Sequence, residues 1–465
     1  MISPEFFASE LRRGGVDFFA GVPDSLLKSF CAWLSDNIGP SSHIIAANEG
    51  AAVALAAGHF LSTGRPGCVY MQNSGEGNAI NPLASLTDAD VYSIPVLLLI
   101  GWRGCPGVHD EPQHVKQGKV TLSLLETMGI PFSVLSGDEA EASAQVSAAC
   151  RVLSSGQVYA LVVRKDTFTS YDGPSDHAHS GSPSGHPRLD SPSDHPRLDS
   201  PSGHAYVGND GGSCPQGLNA GDHAHSGRTS VIADCDRQSV PLDNDATCDK
   251  TRPTADSPDS RQAVDCDRQS LSREEAIQIV AGATGLRDVI VSSTGMISRE
   301  LFEYREATGG DHSRDFLTVG SMGHASQIAL GISLEKPDRR VWCFDGDGAV
   351  IMHMGSMATV GTKAGPNFVH VVFNNGAHDS VGGQPTVGFQ IDLPGVACAC
   401  GYPHVFMVST KDELGFVISS VVGKSQIGPV FLEIQVRKGN RPDLGRPTTT
   451  PLQNRDAFMD FLKSE

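Results

Sequence analysis

Short, continuous apolar runs alternate with helix-like stretches along both ends of the chain. In the first part these apolar runs cover 68–72, 95–101 and 159–164, and an alanine-rich, helix-like stretch covers 49–61. In the second part the apolar runs cover 288–293, 340–344, 368–373 and 429–436. Continuous runs are typical of strands covered on both faces, which means parallel sheets with helices on each side. The sequence therefore predicts an α/β fold with two such domains of similar size.

A tract of different composition separates the two predicted domains. Between 171 and 271 Ser, Pro, Gly, Asp and His predominate, and near-perfect repeats start at Ser182 ("SPSGHPRLD") and Ser191 ("SPSDHPRLD"). So few aliphatic side chains cannot bury enough apolar area to offset the entropy of ordering the chain. We expect a long, disordered low-complexity insert at 171–271 that joins domains at 1–170 and 272–465.

The insert also contains two His-X-His pairs, a pattern that can chelate a metal ion. The four histidines are His177, His179, His223 and His225. Expansion of the repeats accounts for both pairs without a ligand, and this is the interpretation we prefer.

Composition and charge exclude several classes of protein. The chain has 465 residues and a formal net charge of −18, whereas nucleic acids and anionic membranes attract clustered Lys and Arg. It contains no run of about 18 apolar residues, and two glutamates within 1–11 argue against a signal peptide. The eleven cysteines have no paired CxxC spacing, which suits reduced thiols. We therefore expect a cytoplasmic protein that binds neither nucleic acid nor membrane.

Acidic and amide side chains follow two of the predicted strands. The stretch "FDGDGAV" at 344–350 puts Asp347 between two glycines directly after one strand, and Asn374 and Asn375 end the next strand. Adjacent parallel strands bring their carboxyl ends together, so these oxygens would converge where α/β sheets bind ligands. Converging oxygens favour a hard cation such as Mg²⁺, which usually also takes phosphate ligands. The sequence predicts an ion that bridges the protein to a diphosphate.

Two better-known phosphate motifs do not fit the spacing. Gly346 and Gly348 would need a third glycine at 351 for a dinucleotide fingerprint, but Ile351 stands there. The "GKS" that starts at Gly423 would need a glycine at 418 for a P-loop, but Ile418 stands there.

The Asp347 and Asn-Asn arrangement resembles the diphosphate-binding motif of thiamine diphosphate enzymes. The resemblance implies thiamine diphosphate and Mg²⁺ as cofactors. It implies that Asp347 and Asn375 bind the metal by their side chains and Ala377 by its carbonyl, and Asn374 is an alternative to Asn375. It further implies that 1–170 is the pyrimidine-binding domain and 272–465 the diphosphate-binding domain. Two unrelated Gly- and Asn-rich turns are the alternative explanation of the pattern.

Such enzymes share a proton between a glutamate and N1′ of the aminopyrimidine, and Glu49 matches that glutamate. Taken alone, Glu49 would be an ordinary acid in the first turn of a helix. Met322, in "GSMGHA", matches the bulky apolar residue that wedges the cofactor into its bent shape, although an isolated Met is usually core filling. The other expected cofactor contacts are Thr294, Gly295, Gly320, Gly346 and Gly348.

Four longer stretches of the first domain resemble the phosphonopyruvate decarboxylase family, close to sulfopyruvate decarboxylase. They are "GVPDSLLKSF", "NEGAAVALAAG", "YMQNSGEGNAINPLASL" and "IGWRGCPGVHDEPQHVKQGK". The resemblance covers 2–165 and 272–436, and Glu76 and Cys105 depart from the expected pattern. It implies decarboxylation of 3-phosphonopyruvate to phosphonoacetaldehyde and CO2 in phosphonate biosynthesis. It also implies a homo-oligomer whose active sites lie at subunit interfaces.

A substrate with up to three negative charges would need local cations in an otherwise acidic protein. Arg103, His109, His114, Lys116 and Lys119 occupy what the sequence indicates is one short loop after the strand 95–101, and we expect them to hold the anion. A solvated basic loop is the alternative.

Asp24 and His378 are the candidates for proton transfer at the enamine, and His109 is a further catalytic candidate. Both Asp and His also occur in turns for local hydrogen bonding.

Three functions stay open at this point. The first is decarboxylation of phosphonopyruvate. The second keeps the cofactor but uses sulfopyruvate or forms carbon–carbon bonds. The third is a magnesium-nucleotide binding protein in which Asp347 serves a phosphate ester and Glu49 only caps a helix.

Overall fold

A computed structural model describes residues 1–173, 271–423 and 428–464. Nearly all of the predicted insert and its four paired histidines lie outside the described residues. The domain boundaries near 170 and 272 therefore stay predictions.

The first half folds around a six-stranded, wholly parallel sheet in the order β2-β1-β3-β4-β6-β5. Its strands are β1 (Phe19–Gly21), β2 (His43–Ile45), β3 (Gly67–Gln72), β4 (Val96–Gly101), β5 (Phe132–Val134) and β6 (Tyr159–Val163). Its helices are α1 (Pro4–Arg13), α2 (Lys28–Asn37), α3 (Glu49–Thr63), α4 (Glu76–Pro82), α5 (Pro112–Thr127) and α6 (Glu139–Leu153).

The second half repeats this architecture with a parallel sheet in the order β13-β14-β10-β9-β7-β8. Its strands are β7 (Val289–Ser292), β8 (Asp315–Leu317), β9 (Val341–Gly346), β10 (Phe368–Asn374), β13 (His404–Val408) and β14 (Val430–Gln435). A small antiparallel pair joins β11 (Ala377–His378) to β12 (Gln384–Pro385). Its helices are α7 (Arg273–Ala283), α8 (Met296–Thr308), α9 (Ala325–Glu335), α10 (Asp347–Met352), α11 (Gly355–Lys363), α12 (Leu393–Ala399), α13 (Lys411–Gly423) and α14 (Pro451–Lys463).

The central strands are buried on both faces, as their continuous apolar sequences predict. Every residue of β4 and of β10 is buried. Helices cover both sides of each sheet because a parallel strand can be followed by another only through a crossover connection. The prediction of two parallel α/β halves is confirmed.

Helix α3 begins and ends at clear sequence signals. The Asn48 side chain caps its first turn by accepting a hydrogen bond from the backbone N–H of Ala51 at 2.8 Å. Gly64 ends it in the left-handed conformation, with φ of 72°, which glycine adopts without strain. The cap fixes Glu49 as the first helical residue.

Helices α3 and α9 join the two halves by direct contact between their backbones. A β-carbon at Gly58 would overlap the carbonyl of Ile328, and one at Gly331 would overlap the carbonyl of Leu55. One cluster of buried apolar side chains includes residues from both helices and both sheets. The two halves therefore share a core.

Among the described residues, none of the helices combines the length and the apolar character that crossing a bilayer requires.

Candidate active site

The carboxyl edge of the second sheet forms a cavity around the predicted metal ligands. Strand β9 ends at Gly346, which pairs with Phe373 of β10, so the residues that follow the two strands lie side by side. Asp347, Asn375, Ala377 and His378 all line the cavity. The structure thus brings together the side chains that the sequence predicts to converge.

Asp347 lies in this cavity with only 2% of its surface exposed. Burial raises the pKa of its carboxyl group, and hydrogen bonds from the Thr386 hydroxyl and from backbone N–H groups oppose that rise. A divalent cation would supply the positive charge that favours the ionised form. The carboxylate therefore fits a metal ligand, and Thr386, which sequence reasoning missed, orients it.

The two adjacent asparagines point to different partners. Asn375 lines the cavity; its amide N–H donates to Asp379 at 2.7 Å, and its oxygen accepts from the Ala377 N–H at 3.0 Å. Asn374 is fully buried outside the cavity lining and donates to Glu433 at 2.7 Å. The geometry favours Asn375 over Asn374 as the metal ligand.

A buried ion-pair network holds Asn375 in place, and sequence reasoning missed it. Arg273 donates to Glu300 at 2.8 and 2.9 Å and to Asp379 at 2.9 Å, on the carboxylate oxygen that also accepts from Asn375. Burial alone would lower the pKa of Arg273, but the two carboxylates raise it above its ordinary value. Arg273 lies just after the predicted insert, and no sequence pattern indicated that it contributes to the site.

The other expected cofactor contacts surround this cavity. Met322, Thr294, Gly346 and Gly348 line it. Gly295, with φ of 105°, precedes α8 and faces a neighbouring cavity instead. Gly320, with φ of 69°, packs against Ser85 of the first half. Met322 therefore lies in the cavity lining, together with other apolar side chains such as Ile297 and Phe373.

Glu49 lies at the contact between the two halves, but it does not line the Asp347 cavity. It is 8% exposed, and its carboxylate accepts a hydrogen bond from Asn78 at 2.7 Å. A β-carbon on Gly75 would overlap this carboxylate, so any larger residue there would displace the Glu49 side chain. The next residue, Gly50, abuts the His324 ring in the loop that also carries Met322.

The two proton-transfer candidates lie on opposite sheets. Asp24 follows β1; its carboxylate accepts from the Leu26 N–H at 2.8 Å and from the Gln72 side chain at 2.9 Å. His378 lines the Asp347 cavity and packs on Gly348, where a β-carbon would overlap its ring. The structure therefore does not bring Asp24 and His378 into one cavity.

The expected basic loop is only partly a loop. His114, Lys116 and Lys119 belong to α5, which begins at Pro112, so the prediction of one short loop was wrong for these three residues. Proline is favoured in the first turn of a helix because the backbone N–H that it lacks would have no intrahelical partner there. Pro112 carried this signal in the sequence. Arg103 and His109 do lie in the loop and line a second cavity, at the carboxyl edge of the first sheet.

Both departures from the family pattern, Cys105 and Glu76, are buried, and Glu76 is the acidic one. It is 5% exposed, and one of its carboxylate oxygens has no hydrogen-bond partner among the described residues. The other oxygen accepts a long hydrogen bond, 3.4 Å, from Gln117 of α5. Burial raises the pKa of Glu76 to about 8.

Family models match both halves of the chain. Residues 4–124 match the N-terminal TPP binding domain of thiamine pyrophosphate enzymes, and residues 293–434 match the C-terminal TPP binding domain. The second match contains Asp347 and Asn375. A solved benzoylformate decarboxylase from Polynucleobacter necessarius superposes with a TM-score of 0.58 at 13% identity, over 95% of this chain and 100% of that one, which is a likeness of fold.

Two curated relatives extend over nearly the full chain. Phosphonopyruvate decarboxylase of Streptomyces viridochromogenes is 32% identical over 99% of this chain and 95% of its own. Phosphonopyruvate decarboxylase of Streptomyces hygroscopicus is 31% identical over 99% of this chain and 94% of its own. The chain is therefore a thiamine diphosphate-dependent carboxy-lyase and belongs to the phosphonopyruvate decarboxylase family.

Proposed function

We propose that the chain decarboxylates 3-phosphonopyruvate to phosphonoacetaldehyde and CO2, with thiamine diphosphate and Mg²⁺, as a step of phosphonate biosynthesis. The observation that carries the proposal is the cavity in which Asp347, Asn375 and Ala377 meet at the ends of two adjacent strands. Sequence identity of 31–32% to two phosphonopyruvate decarboxylases, over 99% of this chain, supports the choice of substrate.

In this proposal most of the site residues bind the cofactor, and Glu49 takes part in proton transfer. Asp347, Asn375 and the Ala377 carbonyl would hold Mg²⁺ beside the diphosphate of the cofactor. Met322 would pack against the cofactor, and Glu49 would hold a proton at N1′ of the aminopyrimidine. When bound, thiamine diphosphate supplies the carbanion and the electron sink that decarboxylation of a 2-oxoacid requires.

His378 is the proton donor that the geometry favours, because it lies in the metal cavity itself. Asp24 and His109 lie at the carboxyl edge of the first sheet and would act from that side. A group that transfers a proton must come within hydrogen-bond reach of the reacting atom. Substituting His378, Asp24 and His109 one at a time will therefore identify the residue that transfers the proton.

We further propose that the chain works as a cytoplasmic homo-oligomer with active sites at its subunit interfaces. Glu49 stands outside the Asp347 cavity within one chain, and a glutamate from a second copy would complete the pair. Size-exclusion chromatography with light scattering tests the assembly.

The test is a coupled assay for phosphonoacetaldehyde on the purified full chain. We expect turnover of phosphonopyruvate that requires both thiamine diphosphate and Mg²⁺ and that EDTA abolishes. Faster turnover of sulfopyruvate would change the substrate and leave the chemistry intact. Tight binding of Mg-ATP together with no binding of thiamine diphosphate would overturn the proposal.

A further inference from the structure

A second cavity lies at the carboxyl edge of the first sheet, away from the predicted metal ligands. Its volume is about 440 Å³, within the usual range for small-molecule sites. Segments that follow three strands form its wall: Ser25 after β1, the stretch 102–110 after β4, and Arg164 and Lys165 after β6. Ligands of parallel α/β sheets bind beyond this edge of the strands.

The arginine that the sequence marked for anion binding is already neutralised in this cavity. Arg103 donates two hydrogen bonds to Asp110, at 2.8 and 2.5 Å, and one to Ser25 at 2.7 Å. The Arg103 guanidinium, together with backbone N–H groups, holds the pKa of Asp110 well below its usual range. Arg103 therefore shapes the wall but adds little net charge.

Two other cations face the same cavity without such a partner. Arg164 and Lys165 follow β6 directly, and within the described residues neither forms an ion pair with a carboxylate. The Arg164 guanidinium lies 5.4 Å from the centre of the Trp102 ring, in the range of a cation–π contact. The indole N–H of Trp102 donates to the Gly118 carbonyl at 2.8 Å, which fixes the ring beneath the arginine.

The other residues of the cavity wall do not neutralise the charges of Arg164 and Lys165. His109 also lines it, and Asp110 is the one acid in its lining that the structure describes. Gly104 has φ of 65°, and a β-carbon there would overlap the His114 carbonyl, so glycine keeps the wall closed against α5. Glu111 follows Asp110 in the sequence, and Asp166 follows Lys165. Both are exposed, but neither lines the cavity.

We propose that Arg164 and Lys165 form the binding site for the anionic tail of the substrate, a tetrahedral dianion of the phosphonate type. The inference rests on the proposed function and deepens it. Two unpaired cations match a group with a charge near −2 better than the single charge of a sulfonate. The cavity reaches Ser25, next to Asp24, which places the tail at the edge where the first half would meet the reacting carbon.

Direct binding of methylphosphonate tests the site without any catalytic step. The full chain, loaded with thiamine diphosphate and Mg²⁺, is titrated by calorimetry, with methanesulfonate as the monoanionic comparison. We expect methylphosphonate to bind at least 10-fold more tightly than methanesulfonate. Arg164→Gln and Lys165→Gln should each weaken methylphosphonate about 10-fold, the loss of one charge-assisted contact. Arg151→Gln, an exposed change on α6, is the matched control and should leave binding unchanged.

Kinetics separate a role in binding from a structural one. Both variants should raise KM for phosphonopyruvate about 10-fold with little change in kcat, and leave any turnover of pyruvate, which lacks the tail, unaltered. Arg164→Lys should restore part of the affinity because it restores the charge. Unchanged methylphosphonate affinity and unchanged KM in the double variant Arg164→Gln/Lys165→Gln would overturn the inference.

The same data distinguish this inference from the proposed function. Methylphosphonate binding that depends on Arg164, in a protein that does not decarboxylate phosphonopyruvate, would support the anion site and refute the reaction. Full decarboxylation with no effect of either substitution would support the reaction and refute the anion site.

Discussion

The side-chain amide of Asn375 donates a hydrogen bond of 2.7 Å to Asp379. The same Asp379 oxygen accepts from Arg273 at 2.9 Å, so a buried arginine determines where the asparagine oxygen points. Loss of a group that orients a metal ligand typically costs about 10- to 100-fold in metal affinity. We therefore expect Arg273 to act as a positioning residue for the proposed magnesium site, although it lies 102 positions before Asn375 in the sequence (375 − 273).

Replacement of Arg273 by Met should damage both stability and cofactor binding. It leaves Glu300 and Asp379 buried without their cation, which typically costs about 3–5 kcal/mol. The measurements are the thermal midpoint and the Mg²⁺ concentration needed for half-maximal thiamine diphosphate binding. Arg287→Met, on the exposed surface, is the control. A stable variant with normal Mg²⁺ dependence would show that the network orients nothing.

Replacement of Asp347 by Asn should abolish the Mg²⁺ dependence of cofactor binding. The change preserves shape but removes the charge that attracts the ion, so we expect thiamine diphosphate affinity in Mg²⁺ to fall about 100-fold. Fluorescence titration with and without EDTA measures it, and Asp338→Asn, an exposed acid of the same half, is the control. Wild-type affinity in Asp347→Asn would refute the metal assignment.

Replacement of Glu49 by Gln should lower turnover and leave cofactor binding largely intact. Glutamine fills the same space against Gly75 and can accept from Asn78, but it cannot hold the proton at N1′. Loss of such proton transfer usually costs about 10²- to 10⁴-fold in rate. Exposed Glu139→Gln is the matched control. Undiminished decarboxylation by Glu49→Gln would contradict the assigned role.

Replacement of Glu76 by Gln should stabilise the protein at alkaline pH. Burial raises the pKa of Glu76 from its ordinary value of 4.5 to about 8, so between these values the folded state retains a proton that the unfolded state loses. Stability from this group is fully present below pH 4.5 and declines as pH rises toward 8, by up to about 1.4 kcal/mol per pH unit. Thermal midpoints across this range should diverge in favour of the variant as pH rises.

Equal midpoints for wild type and Glu76→Gln at pH 8 would show that the carboxyl group is ionised without cost. The control is Glu139→Gln, where the exposed carboxylate predicts no divergence.

Deletion of 175–267 should leave turnover nearly unchanged. The two halves meet through α3 and α9, which lie outside the deleted stretch, and composition predicts that the insert adds no core. The measurements are kcat and KM of the deleted chain joined by a Gly/Ser linker, beside the thermal midpoint of each protein. A folded deletion variant without activity would assign the insert a catalytic role.

The longer strands were predictable because their sequences carry a distinctive pattern. The apolar run at 68–72 is β3 but for one residue, and 368–373 is β10 but for one residue. Strands β1, β2, β5 and β8 have three residues each, too few for any periodicity, and they were missed. Pairing with neighbouring strands fixes their place in the sheets, and this pairing is a tertiary effect.

The candidate site was predictable where the sequence brings ligands to adjacent strand ends. Asp347 and Asn375 follow β9 and β10, so topology alone joins them. Thr386, Asp379 and Arg273 reach the same place from a loop, a turn and the start of α7, and only the folded chain reveals the meeting. The ion pair in the second cavity was equally hard to foresee: Arg103 looked available, but it pairs with Asp110, seven positions later (110 − 103).

The contact at Gly58 and Gly331 leaves no volume for even a methyl group between α3 and α9. Any side chain at either position would force the two helices apart at this crossing. Such a change would displace the starts of both helices, where Glu49 and His324 lie, without touching either residue. Two residues that lack side chains thus set the spacing between the two halves of the chain.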